Sequence, residues 1–499
     1  MSTMRTGTRL LQRLVAGLLL AATAGCASMA AGTAGGAPSA LAARLDSIFA
    51  DTAFAHAHMG AEFISLRTGA TLYRTNAARV FLPASNQKLF TGAAALETLG
   101  PAYRFRTAVS ASGQVRDGVL HGDLIVRGSG DPTLSARFGE NARSALLAWA
   151  DSLRARGITR VQGGIIGVDS AFVGAPWGSG WAWDDLDYGF AAEYGALQFN
   201  EGVVTMQLFP SRTVGSPPIV VLDPPTQHVR IYNLATTGAA GTALELSIAR
   251  DAAGPGVTVA GSIPADTTML TRSLAVRSST AYFLSVLREA LREAGVEVQG
   301  QALPADEWPD DRAGVVEALL FTHHSPPLGD VLAGMMKPSQ NQIAETMLLT
   351  VGRELRGEGS PEAGAAVVDS LLRAWSLPAG ELRMADGSGM SRYNLTSPRL
   401  LTGLLAHMDR SASREVWRAS LPVAGVDGTL ENRMRDPPLR ESVIAKTGTL
   451  TGVRALSGYL TTAAGEPVAF SLLLDHHLRS SAQADRMMEA ALRAVVEGM

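Results

Sequence analysis

Lysine is rare in this chain, and its three occurrences are the residues whose chemistry matters first. Lys88, Lys337 and Lys446 stand against 40 arginines among 499 residues. A guanidinium stays charged at any working pH, whereas a buried lysine amine can lose its proton. Because arginine serves wherever only positive charge is needed, each lysine is a candidate for acid–base chemistry.

Ser85 lies three residues before Lys88 in the stretch FLPASNQKLF, at the start of a predicted helix. Side chains three apart on a helix share one face. A desolvated lysine can take the proton of a serine hydroxyl and so make the oxygen a nucleophile. The pair predicts covalent acyl transfer, although a single Ser-x-x-Lys also arises by chance in a chain of this length.

The other two lysines open motifs that complete a known set. Lys337 begins KPSQN, which contains Ser339 and Asn341, and Lys446 begins Lys-Thr-Gly on a predicted strand. Ser-x-x-Lys, Ser-x-Asn and Lys-Thr-Gly, in this order, are the motifs of penicillin-binding proteins and class A β-lactamases. The glycine, Gly448, would let a substrate backbone approach the strand closely. Lys337 itself is not required by the motif, so it is either part of the site or a bystander.

These motifs, together with RGSGDPTL, DGSGMSRYN, LPVAGVDGTL and AKTGTLTGVRALSGY, resemble a known family. It is the class C low-molecular-mass penicillin-binding proteins, the D-alanyl-D-alanine carboxypeptidase/endopeptidase group. The resemblance covers nearly all of the mature chain. It implies an α+β fold, a penicillin-binding/β-lactamase-like serine peptidase domain with helices on both faces of an antiparallel sheet. A β-rich insertion of two smaller domains interrupts that domain.

The resemblance also implies the roles of the first two motifs. Ser85 would be the nucleophile and Lys88 its general base. Ser339 would relay a proton toward the leaving D-alanine, and Asn341 would hold the substrate backbone. The implied reaction is hydrolysis of peptidoglycan stem peptides through an acyl-enzyme on Ser85. Penicillins and other β-lactams would inhibit the enzyme by acylating the same serine. No cofactor is expected.

The third motif would bind the end of the substrate. Lys446 and Thr447 are expected to bind the terminal carboxylate. The neighbouring Gly448 would let the substrate backbone come close to the strand. The backbone N–H groups of Ser85 and Thr449 would form the oxyanion hole, which stabilises charge developing on the attacked carbonyl.

A substrate pocket follows from the resemblance and from WAWDDLDYGF and DGSGMSRYN. The side chain of diaminopimelate ends in an ammonium and a carboxylate, so a pocket for it needs an acid and a base on opposite sides. The resemblance assigns these roles to Asp185 and Arg392, with Phe190 and Trp183 as an apolar wall. Asp184 is the alternative to Asp185.

Other classes of function lack their signals. A net charge of -3 with a pI near 6.3 argues against nucleic acid. The histidines form no His-Glu-x-x-His, no cysteine cluster is present, and no metal is expected. No Gly-x-Ser-x-Gly elbow indicates an α/β-hydrolase. A β-lactamase lacking an evident deacylating glutamate, and a non-catalytic wall-binding scaffold, remain alternatives.

The first 30 residues have the layout of a secretory signal peptide, with Arg5, Arg9 and Arg13 before the apolar run LVAGLLLAATAG. Cys26, the single cysteine, is a candidate lipidation site, and cleavage near ASMA is the alternative. No second run of about 18 apolar residues follows. We expect a periplasmic or cell-surface enzyme, associated with the membrane at most peripherally or through a lipid.

The remaining texture predicts the domains. Small residues form a flexible spacer, short strand-like runs between glycines and prolines mark the insertion, and helical periodicity returns with AYFLSVLREALREAGV. The predicted ranges are the spacer 31–40, the catalytic domain 41–100 and 276–499, and the insertion 101–275. The insertion divides into a first domain, 101–198 and 263–275, and a nested second domain, 199–262.

Overall fold

A computed structural model describes residues 39–251, 254–309 and 316–499. The predicted signal peptide, Cys26 and nearly all of the predicted spacer 31–40 lie outside these residues.

The chain divides into two compact units, residues 1–44 and 45–499. In the first unit the described residues are 39–44, where helix α1 begins. In the described parts of both units, no helix combines the length and the hydrophobicity that crossing a membrane requires.

The helices and strands of the described residues are numbered in chain order. The helices are α1 (Ala40–Phe49), α2 (Gln87–Leu99), α3 (Ser144–Arg154), α4 (Ser279–Glu293), α5 (Leu328–Met336), α6 (Asn341–Arg356), α7 (Pro361–Ala374), α8 (Pro398–Arg410), α9 (Arg414–Ser420) and α10 (Ser481–Gly498). The strands are β1 (His58–Ser65), β2 (Thr71–Thr75), β3 (Arg106–Arg116), β4 (Val119–Arg127), β5 (Arg160–Val161), β6 (Ile165–Val168), β7 (Val203–Phe209), β8 (Ile219–Asp223), β9 (Arg230–Gly238), β10 (Glu245–Arg250), β11 (Gly256–Pro264), β12 (Leu270–Ala275), β13 (Glu297–Val298), β14 (Ala302–Pro304), β15 (Glu317–His324), β16 (Val443–Leu450), β17 (Val453–Thr461) and β18 (Pro467–Asp475).

An antiparallel sheet in the order β16-β17-β18-β1-β2 forms the centre of the α+β fold. Side chains on a strand alternate between the two faces of the sheet. Ala469 and Leu473 of β18 join a core with helices α2, α5, α6 and α8. Phe470 and Leu472 point to the other face and are equally buried, and α10 contacts the neighbouring strand β17. The sheet is therefore covered on both faces, as predicted for this fold class.

The insertion contains a larger sheet and two small ones. Strands β3 to β6 join β13 to β15 in a seven-stranded sheet, on which Trp149 of α3 meets Phe283 of α4 edge to face. Strands β12-β7-β8 and β10-β11-β9 form two three-stranded sheets. Their apolar side chains share one continuous core with the larger sheet.

Strand pairing in the insertion differs from the sequence-based division. Strand β15 pairs with β3 and β13 pairs with β5, which extends the larger sheet to His324, beyond the predicted boundary at residue 275. Strand β12, predicted within the first inserted domain, pairs with β7 of the nested segment. A single sequence shows that short strands exist, but tertiary contacts choose their partners. Helix α4 has the same helical periodicity as the catalytic helices, so the sequence placed it in the catalytic range, whereas its apolar side chains pack in the core of the insertion.

Candidate active site

Ser85 lies in a short 3₁₀ turn, Ala84–Asn86, that leads directly into α2. Lys88 follows in the first turn of that helix, and its Nζ lies 3.0 Å from Ser85 Oγ. Ala84 has a left-handed φ of 44°, a conformation that is costly for a residue with a side chain. The residue before the predicted nucleophile is therefore held in a strained backbone conformation.

Lys88 is fully buried, and among the described residues its three hydrogen-bond partners are neutral. Besides Ser85, its Nζ donates to Asn341 Oδ1 at 2.6 Å and to the carbonyl of Ser388 at 2.8 Å. Burial lowers the pKa of Lys88 to about 7, against the opposing charges of Asp386 and Glu345. A lysine near this pKa can exchange a proton at neutral pH.

The second motif lies between α5 and α6. Ser339 has a left-handed φ of 65°, and Asn341 is the first residue of α6. While Asn341 Oδ1 accepts from Lys88, its Nδ2 donates to the carbonyl of Phe190 at 2.7 Å. The side-chain amide of Asn341 thus links Lys88 to the insertion.

Lys446 lies on β16, the edge strand of the central sheet. Its Nζ donates to Ser339 Oγ at 2.8 Å and to the carbonyl of Thr447 at 2.9 Å. Burial lowers the pKa of Lys446 well below its usual value, and the positive charge of Lys88 lowers it further. The Thr447 hydroxyl donates to Thr429 Oγ1 at 2.7 Å.

Lys337 is placed differently from the other two lysines. Its Nζ lies 2.5 Å from Asp427 Oδ2 and donates to the carbonyl of Leu421 at 3.1 Å, and its side chain is 28% exposed. These contacts tie the end of α5 to the segment before β16. Lys337 is an ion-paired lysine outside the group formed by Lys88 and Lys446.

A cleft of about 670 Å³ opens over these motifs. Predicted site residues in its lining are Ser85, Asp185, Phe190, Ser339, Asn341, Thr447 and Thr449. Gly448 packs under the nucleophile turn, because a Cβ there would lie 2.7 Å from the carbonyl oxygen of Pro83. The sequence missed further lining residues, including Met390, Thr429, Thr451 and His477.

Of the residues predicted to read the substrate side chain, Asp185 and Phe190 line this cleft, whereas Arg392 reaches it only through a lining residue, Thr451. The carbonyl of Thr451 accepts from Arg392 Nη2 at 3.0 Å. Burial and the charge of Asp184 raise the pKa of Asp185, and the positive charge of Arg392 lowers it. Within the described residues no ion pair joins Asp185 to Arg392. Trp183, which was predicted to form an apolar wall of the pocket with Phe190, is 84% exposed.

The segment DGSG contains residues whose local role the sequence did not indicate. Ser388 provides the carbonyl that Lys88 contacts, and Glu345 accepts the N–H groups of Gly387 and Ser388. Asp386 accepts from the Trp181 indole of the insertion at 2.9 Å. Apart from the stretch DGSGMSRYN itself, the sequence carries no local sign of these roles, since the contacts join residues far apart in the chain.

Comparisons with known proteins point to one family. Residues 41–495 match the model of the D-Ala-D-Ala carboxypeptidase 3 (S13) family. The chain is 36% identical over 449 residues to a D-alanyl-D-alanine carboxypeptidase of Actinomadura sp. (strain R39), covering 87% of this chain and 80% of that protein. It is 32% identical over 403 residues to D-alanyl-D-alanine carboxypeptidase DacB of Haemophilus influenzae, covering 79% and 80%.

Solved structures agree. The crystal structure of penicillin binding protein 4 (dacB) from Haemophilus influenzae matches with a TM-score of 0.76 at 28% identity, covering 88% of this chain and 95% of that one. A second structure of that protein, complexed with a novel β-lactam, matches with a TM-score of 0.73 at 26% identity, covering 90% and 98%.

Gly389→Ala should displace the nucleophile turn. Gly389 has a φ of 88°, and a Cβ there would lie 1.8 Å from the carbonyl oxygen of Ala84. Gly69→Ala is the matched control, because Gly69 has a φ of 74° with nothing within 4 Å. Both substitutions carry the left-handed penalty of about 1 kcal/mol. We expect the rate of acylation by a fluorescent penicillin to fall at least about tenfold in Gly389→Ala alone, and equal rates in the two variants would contradict this.

Proposed function

The chain belongs to the D-Ala-D-Ala carboxypeptidase 3 (S13) family, and on this premise we propose that Ser85 and Lys88 carry its serine-type D-alanyl-D-alanine carboxypeptidase reaction. The substrate class is the stem peptide of peptidoglycan. Hydrolysis could remove a terminal D-alanine or cut a crosslink between two stems.

Acylation begins when the Ser85 hydroxyl attacks the carbonyl carbon of the D-alanyl-D-alanine bond and gives its proton to Lys88. A neutral amine has two N–H groups and one lone pair. Asn341 Oδ1 and the Ser388 carbonyl can accept the two N–H groups, at 2.6 and 2.8 Å. The lone pair then faces Ser85 Oγ at 3.0 Å. This contact carries the proposal, because burial lowers the pKa of Lys88 to about 7 and so makes the amine available as a base.

The carbonyl oxygen gains negative charge as the Ser85 bond forms. In this proposal the backbone N–H groups of Ser85 and Thr449 donate to that oxygen. Losing one such donor typically costs ~10²-fold or more in rate. Thr449 lies on the edge strand β16, where an extended substrate can add alongside the sheet.

The leaving D-alanine needs a proton on its nitrogen, and Ser339 is the proposed donor. Its hydroxyl lies 2.8 Å from Lys446 Nζ, so a proton given up by Ser339 can be replaced by the lysine. Lys446 and Thr447 would also bind the terminal carboxylate, whose negative charge favours the protonated form of the buried amine. Water then hydrolyses the Ser85 ester. The Ser85 oxygen takes its proton back from Lys88, and the proton released by the new carboxylic acid restores the one that Lys446 gave up.

Penicillin should acylate Ser85, because its β-lactam carbonyl can be attacked as the peptide is. Intact-protein and peptide mass spectrometry should show the adduct on Ser85 and none in Ser85→Ala. Lys88→Arg keeps the charge but supplies no base, so we expect acylation to fall at least about 100-fold.

The lifetime of the label separates the alternatives. A durable adduct supports the peptidase, rapid turnover would favour a β-lactamase, and no reaction would favour a scaffold. An adduct that persists in Ser85→Ala would overturn the assignment of the nucleophile.

The pocket beside the nucleophile suits a diaminopimelate side chain. In this proposal Asp185 binds its ammonium and Arg392 its carboxylate, while Phe190 provides an apolar surface. The planar guanidinium can bind both oxygens of a carboxylate at once. Asp185 lines the cleft, and Arg392 donates to the carbonyl of Thr451, which lines it too.

Asp185→Ala and Arg392→Ala should each lower kcat/KM for a diaminopimelate-type peptide by roughly tenfold or more, which corresponds to about 1.5 to 3 kcal/mol for a hydrogen bond to a charged group. Acylation by penicillin, which carries no such side chain, should change little. The two rates are measured on the same variants. Equal losses on both compounds would mean that these residues support the fold and not the specificity.

A peptidoglycan substrate fits an exported enzyme. In this proposal residues 1–30 direct export to the periplasm or the cell surface. Cys26 either carries a lipid that holds the enzyme at a membrane, or is removed by cleavage near ASMA.

A further inference from the structure

Glu345 is a fully buried glutamate to which the motifs assign no role. It lies on α6, one turn after Asn341. Its two carboxyl oxygens accept the backbone N–H groups of Gly387 and Ser388, at 2.9 and 2.8 Å. The side chain of Ser388 also donates to it. Every one of these partners is a donor, which suits an ionised carboxylate because it can only accept.

These bonds connect Glu345 to the proposed general base through one residue. The N–H of Ser388 is held by Glu345, and the carbonyl of Ser388 accepts from Lys88 Nζ at 2.8 Å. The preceding carbonyl, of Gly387, accepts from the Thr91 hydroxyl at 2.7 Å. The peptide groups around Ser388 are therefore fixed on both sides. Helix α6 thus orients Lys88 twice, directly through Asn341 and indirectly through Glu345.

The charge of Glu345 acts on the same amine. Lys88 faces it from α2, Asp386 from the DGSG segment and Tyr194 from the insertion. Burial raises the pKa of Glu345 to about 8, and the charge of Asp386 adds to that rise. The three donors oppose both effects, and because each of them needs an acceptor, their geometry favours the ionised carboxylate. Burial and the charges of Glu345 and Asp386 raise the pKa of Tyr194, so its hydroxyl stays neutral. In its ionised form Glu345 favours protonated Lys88, against the effect of burial.

We infer that Glu345 is a positioning residue for acylation, whose carboxylate fixes the Ser388 carbonyl that orients Lys88 and whose charge sets the basicity of the Lys88 amine. The inference rests on the proposed role of Lys88 as the base. It assigns two separable effects to one side chain. The position of its oxygens controls where the lysine amine lies, and its negative charge controls the pH at which that amine becomes neutral.

Glu345→Gln removes the charge and tests the electrostatic effect. The second-order rate constant of acylation by penicillin is measured against pH. The acid limb of this profile, where the rate constant rises with pH, reports the ionisation of the base in the free enzyme. Loss of a negative charge near an amine lowers the pKa of that amine. We expect the acid limb to move to lower pH by about half a unit or more. An unchanged limb in the folded variant would overturn the electrostatic part of the inference.

Glu345→Asp keeps the charge but withdraws the carboxylate from the two N–H groups. The limb should stay where it is in the unsubstituted enzyme, and the plateau rate should fall at least about tenfold. This variant also serves if Glu345→Gln does not fold. A plateau equal to that of the unsubstituted enzyme would overturn the positioning part.

Glu62→Gln is the matched control. Glu62 is a buried glutamate on β1, its carboxylate bound to the Thr402 hydroxyl, and burial raises its pKa also. Glu62→Gln shows how the loss of a buried carboxylate away from Lys88 affects the rate constant of acylation, and it should leave the acid limb of the pH profile in place. A limb that moves equally in Glu62→Gln would contradict the specific role of Glu345. Failure of the proposed function is distinct, because the unsubstituted enzyme would then show no acylation or no limb at all.

Discussion

The buried amine of Lys88, surrounded by neutral acceptors, is the constraint around which the active site is arranged. A hydroxyl, a side-chain amide and a backbone carbonyl contact its Nζ, and no carboxylate of the described residues does. Burial disfavours the charged form of a lysine unless an anion compensates it. Lys446 is buried in the same way, with a hydroxyl and a carbonyl as partners. Lys337, which is partly exposed and paired with Asp427, shows what an ordinary ion-paired lysine looks like in the same chain.

Several elements meet at that amine, and each is anchored by burial. The start of α2 presents Ser85 and Lys88, and the start of α6 presents Asn341. The DGSG segment presents the Ser388 carbonyl, and is held by Glu345 and Asp386. Asp386 in turn accepts from Trp181 of the insertion, while Asn341 donates to the carbonyl of Phe190. The insertion is therefore hydrogen-bonded to the supports of the catalytic residues as well as lining the cleft.

The sequence predicted the parts of this arrangement that depend on local spacing or on a motif set. Ser85 and Lys88 meet because they are three apart at a helix start, and the order of the motifs indicated the fold class. Glu345 and Ser388 are 43 positions apart, and nothing in the local sequence shows that their groups meet. The partners of β12 and β15 were equally inaccessible, because short strands carry no mark of the strand they pair with.

The most direct test of this account is the ionisation of Lys88 itself. Since the chain has three lysines, labelling lysine with ¹³C at Cε gives three NMR signals, which Lys88→Arg, Lys337→Arg and Lys446→Arg assign in turn. Because Lys88 is buried among neutral groups, its signal should titrate at a pH of about 7 in the ligand-free enzyme. Titration of that signal near 10.5, the ordinary value for lysine, would contradict the claim that a buried, neutral amine activates Ser85.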